Sequence, residues 1–536
     1  MNTARAALLF LTTTLAWADT YPRQNGVDAL HYVFRLELTD ANDVIRGDAD
    51  ILIKFVSANV NEVFLDLISA DKGKGMTVSE VRDSAGAIPF SHQVDRLRIA
   101  LAKPPEAGEE RHFTVRYQGI PATGLRIGAN KYGERTFFSE NWPDHARQWL
   151  PMIDHPYDKA TSEFIVIAPA IYQVVSNGLL QEETDLGDGR RLTLWKQSVP
   201  IASWLNAIGV AQFTSRHLNQ VLGIPLETWV FHQDREAGMV AFDSAARRSF
   251  EFFGTHIGPY AYEKLANVEA AGLNGGTEHA SAIFYGEKSI NGKPVDGLVA
   301  HEIAHQWFGD AVTEKDWDDV WLSEGFATYF TLLFTEHDRG RDAFVVDLDR
   351  SRRGIFALEA KNPGMAVTHA NLSDMRKVLN RIIYEKGGWT LHMLRGMMGT
   401  EKFWAGIREY YARYRDGSAS TADFRQVMEK HAGVELTWFF HQWLRRAGSP
   451  ALEGGWRYNA QAKRIEIELA QTQAGEPYRL PVEFSVLQAD GTPARMEQVE
   501  ILDRQHTFFI AAEKEPADVK IDPGTWLLAQ LRFAKR

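Results

Sequence analysis

The stretch VAHEIAHQWFGD, residues 299–310, sets His301 and His305 four residues apart, with Glu302 directly after the first histidine. On a helix, positions i and i+4 project from one face. Both imidazoles can therefore converge on one metal ion at about 2 Å from each nitrogen. Glu302 is too close in sequence to be a third ligand of the same geometry, but it is well placed to hold a water at the ion. H-E-x-x-H is the arrangement of zinc peptidases; the bland alternative is two surface histidines on an amphipathic helix. Asp296 can cap this helix, which is expected to run through His305 and beyond.

Further on, DWDDVWLSEGFATYF, from residue 316, reads as a second helix with Asp318 or Asp319 near its start, and its Glu324 lies nineteen residues after His305. It offers Glu324 between Leu322 and Phe326, where a lone carboxylate would be costly to bury. A metal removes that cost. Two histidines, one glutamate and an open fourth position make a catalytic rather than a structural zinc site. One zinc per chain is expected, on His301, His305 and Glu324.

Such residues need a scaffold. The 536 residues are too many for one core, and a composition of 45% hydrophobic and 24% charged residues is ordinary for a folded chain. From about residue 19 to 214 the texture is strand-like: HYVFRLELTD and DADILIKF alternate, and LGDGRRLTLW carries a turn before another alternating run. From 215 to 448 helical signals dominate, as in SAARRSFEFFGTHIG and TADFRQVMEKHAG, each closed by glycine. From 449 to 536 strands return, in RIEIEL and in LPVEFSVLQADGTPARMEQVEIL with its Asp-Gly turn. The reading is a multidomain α+β protein: an N-terminal β domain, a mostly helical catalytic domain and a small C-terminal β-sandwich.

Residues 1–18, MNTARAALLFLTTTLAWA, combine one basic residue, an apolar run and Ala-Trp-Ala, the pattern of a cleaved secretory signal. Cleavage after Ala18 makes Asp19 the first mature residue and points to a periplasmic or secreted protein. The apolar run is short for a membrane anchor, and no later stretch is apolar enough to span. With no cysteine the exported chain has no disulfide, and a net charge of −11 argues against a nucleic-acid partner.

HEIAHQWFGD…WLSEGFATY resembles the signature of the gluzincin zinc aminopeptidases, the aminopeptidase N and leukotriene hydrolase family. YEKGGWTLHML at 384–394, FFHQWLRRAGSP at 439–450, ARQWLPMIDHPYDKA at 146–160 and GGTEH at 275–279 resemble further family segments. The resemblance implies a saddle-shaped N-terminal β-sheet domain and a thermolysin-like catalytic domain. It implies that Glu302 is the general base and that Tyr384 gives its phenolic hydroxyl to the oxyanion. It also implies that Glu278 meets the free α-ammonium of a peptide, with Gly275 and Gly276 letting the backbone approach the substrate.

The expected activity is therefore zinc-dependent removal of N-terminal residues from peptides. The alternatives are another zinc hydrolase on the same scaffold, dipeptidase-like or epoxide-opening, or a non-catalytic peptide-binding protein. Three departures stand out. Thr277 and His279 replace the family's Met and Asn. Trp142 occupies the place of an acidic or amide residue that helps hold the amine, so that helper is absent or supplied by a neighbour such as Glu140 or Asn141. The large helical C-terminal domain of many relatives is not expected after the β module.

Overall fold

The computed structural model describes residues 19–369, 372–488, 492 and 494–536. The leader and the Asp-Gly turn at 490–491 lie outside these residues. The N-terminal region is built on an eight-stranded sheet with Val27–Glu37 inside it, antiparallel to Ile45–Phe55 and parallel to Lys159–Pro169. Alternation in the sequence becomes alternation in burial: Tyr32, Phe34 and Leu36 are buried, while Arg35 and Glu37 face solvent. Two smaller sheets complete this region.

The central region carries seven long helices: α1 (Arg235–His256), α2 (Asp296–His305), α3 (Trp321–Arg339), α4 (Arg341–Lys361), α5 (Arg381–Met398), α6 (Thr400–Tyr414) and α7 (Thr421–Ala432). It also holds a five-stranded mixed sheet that the helical reading of residues 215–448 did not contain. Its inner strands, Leu226–Phe231, Leu265–Ala270 and Ala282–Gly286, are buried at every residue. A strand covered on both faces shows no period-2 signal, so nothing in the pattern announced them. Phe213–His217, the sheet's outer strand, crosses the expected 214/215 break.

At the C-terminus a four-stranded sheet faces a three-stranded one, with Phe484 of one packed on Phe533 of the other at 5.7 Å between ring centroids. The strand pairing runs Leu452↔Gln471 to Asn459↔Arg464 on one face and Leu480↔Ile501 on the other. This is the expected sandwich. It docks on the helices through Trp526, whose ring stacks on His392 of α5 at 4.7 Å and lies near the guanidinium groups of Arg341 and Arg395. Gly396 makes room, since a Cβ there would meet the indole at 2.8 Å. Asp522 holds the loop, accepting from the backbone N–H groups of Trp526 and Leu527.

The N-terminal region is tied to the site by Lys159. Its buried ammonium donates to the carbonyls of Asp310 and Ala311, just beyond α2, at 3.0 and 3.2 Å, and to that of Gly417, after α6, at 3.1 Å. Burial brings its pKa down to about 8.

Removing the indole anchor should loosen the C-terminal sandwich selectively. Trp526→Ala is expected to cost roughly 1–3 kcal/mol and to make residues beyond 450 the first released by limited proteolysis. An unchanged melting temperature and digestion pattern would contradict this docking role.

Candidate metal centre and active site

Helix α2 ends at His305, earlier than expected, and Asp296 is its first helical residue rather than its cap. The Asp296 carboxylate is used elsewhere, on Arg248 and Arg339 at 3.2 and 2.8 Å. Both histidines lie within the helix, so the i,i+4 geometry holds, and the Nε2 atoms of His301 and His305 lie 3.2 Å apart. Glu324, in the first turn of α3, brings Oε2 to 3.5 Å from His301 Nε2 and 3.3 Å from His305 Nε2.

The donor set fits a metal ion on its own terms. Glu324 Oε2 is buried and accepts no hydrogen bond. His305 Nδ1 lies 3.2 Å from the Phe308 carbonyl and 3.0 Å from Ser323 Oγ. Placing the imidazole proton on Nδ1, toward that carbonyl, leaves the Nε2 lone pair aimed at the cluster. Two imidazole nitrogens and one carboxylate oxygen, all borderline or hard donors, suit zinc.

Helices α3 and α5 bring up the rest of the site because they cross on glycine. A Cβ on Gly387 would lie 3.0 Å from the Gly325 Cα, and a Cβ on Gly325 would be as close to the Gly387 backbone. This close approach sets the Tyr384 hydroxyl against Glu324, to which it donates at 2.9 Å. Asn380 starts α5 by accepting from the N–H groups of Ile382 and Ile383, which fixes the turn bearing Tyr384.

On the other side lies the GGTEH segment. Gly276–Thr277 forms the edge strand of the mixed sheet, paired with Phe284 and Tyr285. Gln306, the residue after His305, donates from Nε2 to the carbonyls of Glu278 and His279 at 3.0 and 3.3 Å. Glu278, Glu302 and His305 form a second cluster whose ligand atoms all lie within 4.8 Å of one another. Gly276 makes room for Glu302: a Cβ there would fall 2.4 Å from its carboxylate. Gly275 has φ +78°, a conformation that favours glycine.

Charge in this cavity is crowded. Burial pushes the Glu302 carboxyl well above its ordinary range, and Glu278 adds to the effect. Glu278 is itself raised by burial. Burial would raise Glu324 too, but His305 and His301 outweigh it and hold it at about 2. Burial and Glu324 keep the Tyr384 phenol protonated, hence a donor.

The structure thus brings together His301, His305, Glu324, Glu302, Glu278 and Tyr384. It does not free Asn141 as an amine helper. That side chain is buried, donating to the Asn206 carbonyl at 2.6 Å and accepting from Trp149 at 2.8 Å. Glu140 pairs with Arg126 at 3.3 Å. His279 packs against Phe284 and belongs to neither cluster; burial keeps it neutral, with its pKa near 3. Sequence reasoning missed Ser323 and Gln306. Both flank named site residues, yet neither has a spacing signal.

The sequence profile of the peptidase family M1 domain matches residues 242–443, and that of the peptidase M1 N-terminal domain matches residues 28–205. The chain belongs to the M1 peptidase family. Among curated M1 relatives, glutamyl aminopeptidase of Bos taurus is 28% identical, over 63% of this chain and 37% of its own length. The probable aminopeptidase 2 of Sulfurisphaera tokodaii is 25% identical, over 86% and 58%. The chain thus spans well under two thirds of these relatives. In fold it is similar to the M1 zinc metallopeptidase from Deinococcus radiodurans, with a TM-score of 0.69 at 24% identity, covering 78% of this chain and 94% of that one.

The glycine crossing makes a sharp test. Gly387→Ala should push α5 off α3 and take the Tyr384 hydroxyl away from the cluster. Turnover should fall about tenfold or more while bound zinc, measured by elemental analysis, stays at one per chain. Full activity would mean that the close crossing is incidental.

Proposed function

We propose that the protein is an exported zinc aminopeptidase that removes residues from the free N-terminus of peptides. The observation that carries the reading is Glu278. Its carboxylate is 6% exposed, shares a cluster with Glu302, and among the described residues pairs with no lysine or arginine. A buried carboxylate without a cation beside a base is a receptor for a cation on the substrate, and the α-ammonium of a peptide supplies it. A mid-chain peptide bond brings no such charge.

His301, His305 and Glu324 hold the zinc, which when bound polarises the scissile carbonyl and makes water acidic enough to be deprotonated near neutral pH. Glu302 takes the proton from the attacking water and returns it to the leaving amine. Its raised proton affinity in the buried cavity suits both halves of that task. The Tyr384 hydroxyl, held protonated, turns from Glu324 to the oxyanion as charge develops there. The edge strand Gly276–Thr277 offers unpaired backbone groups along which the substrate main chain can lie.

The leader pattern of residues 1–18 supports export. No helix of the described residues is long and apolar enough to cross a membrane.

The test is a panel of chromogenic aminoacyl amides alongside their N-blocked versions. Free amines should be cleaved and blocked ones should not. Glu302→Gln should keep zinc and lose turnover by orders of magnitude. Glu278→Ala should keep zinc and lose mainly the preference for a free amine. Equal cleavage of blocked and free compounds by the unaltered protein would reject the aminopeptidase reading, and cleavage of neither would favour a binding protein.

A further inference from the structure

The Glu278 carboxylate is almost fully buried, yet among the described residues no other residue's hydrogen bond or ion pair reaches it. Its place is therefore set by the backbone that carries it. That backbone is the turn 278–281, and Ser281 in it has φ +62°, in the left-handed region that favours glycine. Such a conformation persists only where its surroundings over-determine it. Asn177 Nδ2 donates to the Ala280 carbonyl at 2.6 Å, Lys264 Nζ to the Ser281 carbonyl at 3.0 Å, and the Gly178 N–H to Ser281 Oγ at 2.8 Å.

A further residue ties this turn to the helix of the histidines. Gln306 directly follows His305 and is 0% exposed. Its Nε2 donates to the carbonyls of Glu278 and His279 at 3.0 and 3.3 Å and to Asp310 Oδ2 at 2.6 Å. Its Oε1 accepts from the Ser281 N–H at 2.8 Å and lies 3.0 Å from the Tyr260 hydroxyl. Acceptors face the nitrogen and donors face the oxygen, so the partners fix the orientation of the amide. Both ends of the turn are thus bonded to the residue next to a metal-ligand candidate.

Covalent geometry says what this spacing selects. Within one residue the amine nitrogen and the carbonyl carbon are about 2.5 Å apart, and one more extended residue carries the amine about 3.5 Å farther away. The ligand atoms of Glu278, Glu302 and His305 lie within 4.8 Å of one another. That suits a peptide bound by its amine with its first carbonyl at the cluster. It does not suit one presenting its second.

We infer that Gln306 is a positioning residue that sets the register of cleavage. It fastens the amine receptor to the helix of the metal ligands, so that only the first peptide bond meets them. This role rests on the aminopeptidase reading and adds to it. Gln306 touches no reacting atom; it acts through the turn 278–281.

Two substitutions test the role. Gln306→Met keeps nearly the same length and removes every side-chain hydrogen bond, whereas Gln306→Asn keeps the amide on a stem one methylene shorter. Zinc content, cleavage of free and N-blocked aminoacyl amides, and mass spectrometry of the products of a tetrapeptide are measured for each. The unaltered protein should release single residues. Gln306→Met should keep one zinc per chain, raise KM for the free amine about tenfold and change turnover about threefold or less. Its preference for free over blocked amines should fall about tenfold, and it should release dipeptides at about a tenth of the rate of single residues. Gln306→Asn should move the same quantities in the same direction by about threefold. A loss of turnover shared by free and blocked substrates, with single-residue release intact, would overturn the inference. Loss of zinc or of the folded state in both variants would overturn it too, because Gln306 would then serve the fold and not the register. No preference for a free amine in the unaltered protein would instead defeat the aminopeptidase reading.

Discussion

The hydrogen bond between Glu324 on α3 and Tyr384 on α5 constrains how the two helices cross. The crossing of α3 and α5 at Gly325 and Gly387 meets that constraint, and much of the site depends on it. One face of α3 turns Glu324 toward the histidines of α2, while α5 brings Tyr384 to the same carboxylate. A side chain at the crossing would separate Glu324 from Tyr384. The apolar surroundings, including Trp321, Phe326 and Leu391, make that separation fixed rather than adjustable.

The second constraint is electrostatic. Glu278, Glu302 and Glu324 lie in one cavity with two imidazoles, and burial opposes ionisation of all three carboxyls. The division of labour follows from their partners. Glu324, against both histidines, stays ionised, which suits the ligand role proposed for it. Glu302, beside another carboxylate, is driven toward proton uptake, as a base requires. Glu278 pairs with no lysine or arginine of the described residues; the positive influence on it is His305 of the same cluster. A divalent ion and a substrate ammonium together balance what the protein leaves unbalanced.

The regions around the site act as braces. Lys159 reaches from the N-terminal sheet to the carbonyls just after α2, Trp526 pins the C-terminal sandwich to α5, and residues 19–23 hold the turn before α3. Each brace meets an element that carries a site residue. The reaction chemistry occupies a few side chains, but their placement uses all three regions.

The convergence of His301 and His305 on one helix face and the overall order of β, helical and β regions were legible in the sequence, because they depend on local periodicity. Four residues on a helix return to the same face wherever that helix is packed, and alternation survives in strands with one solvent-facing side, such as Val27–Glu37. The central mixed sheet was not legible, since strands buried on both faces carry no alternation. Tyr384 and Glu278 were visible only through resemblance, because their roles depend on contacts with residues far away in the chain. The tertiary structure alone decided that Gly276 makes room for Glu302, that Asn141 is committed to Asn206 and Trp149, and that α2 stops at His305 while Asp296 pairs with arginines. In each case the deciding quantity is a distance between segments remote in sequence, and no local pattern encodes such a distance.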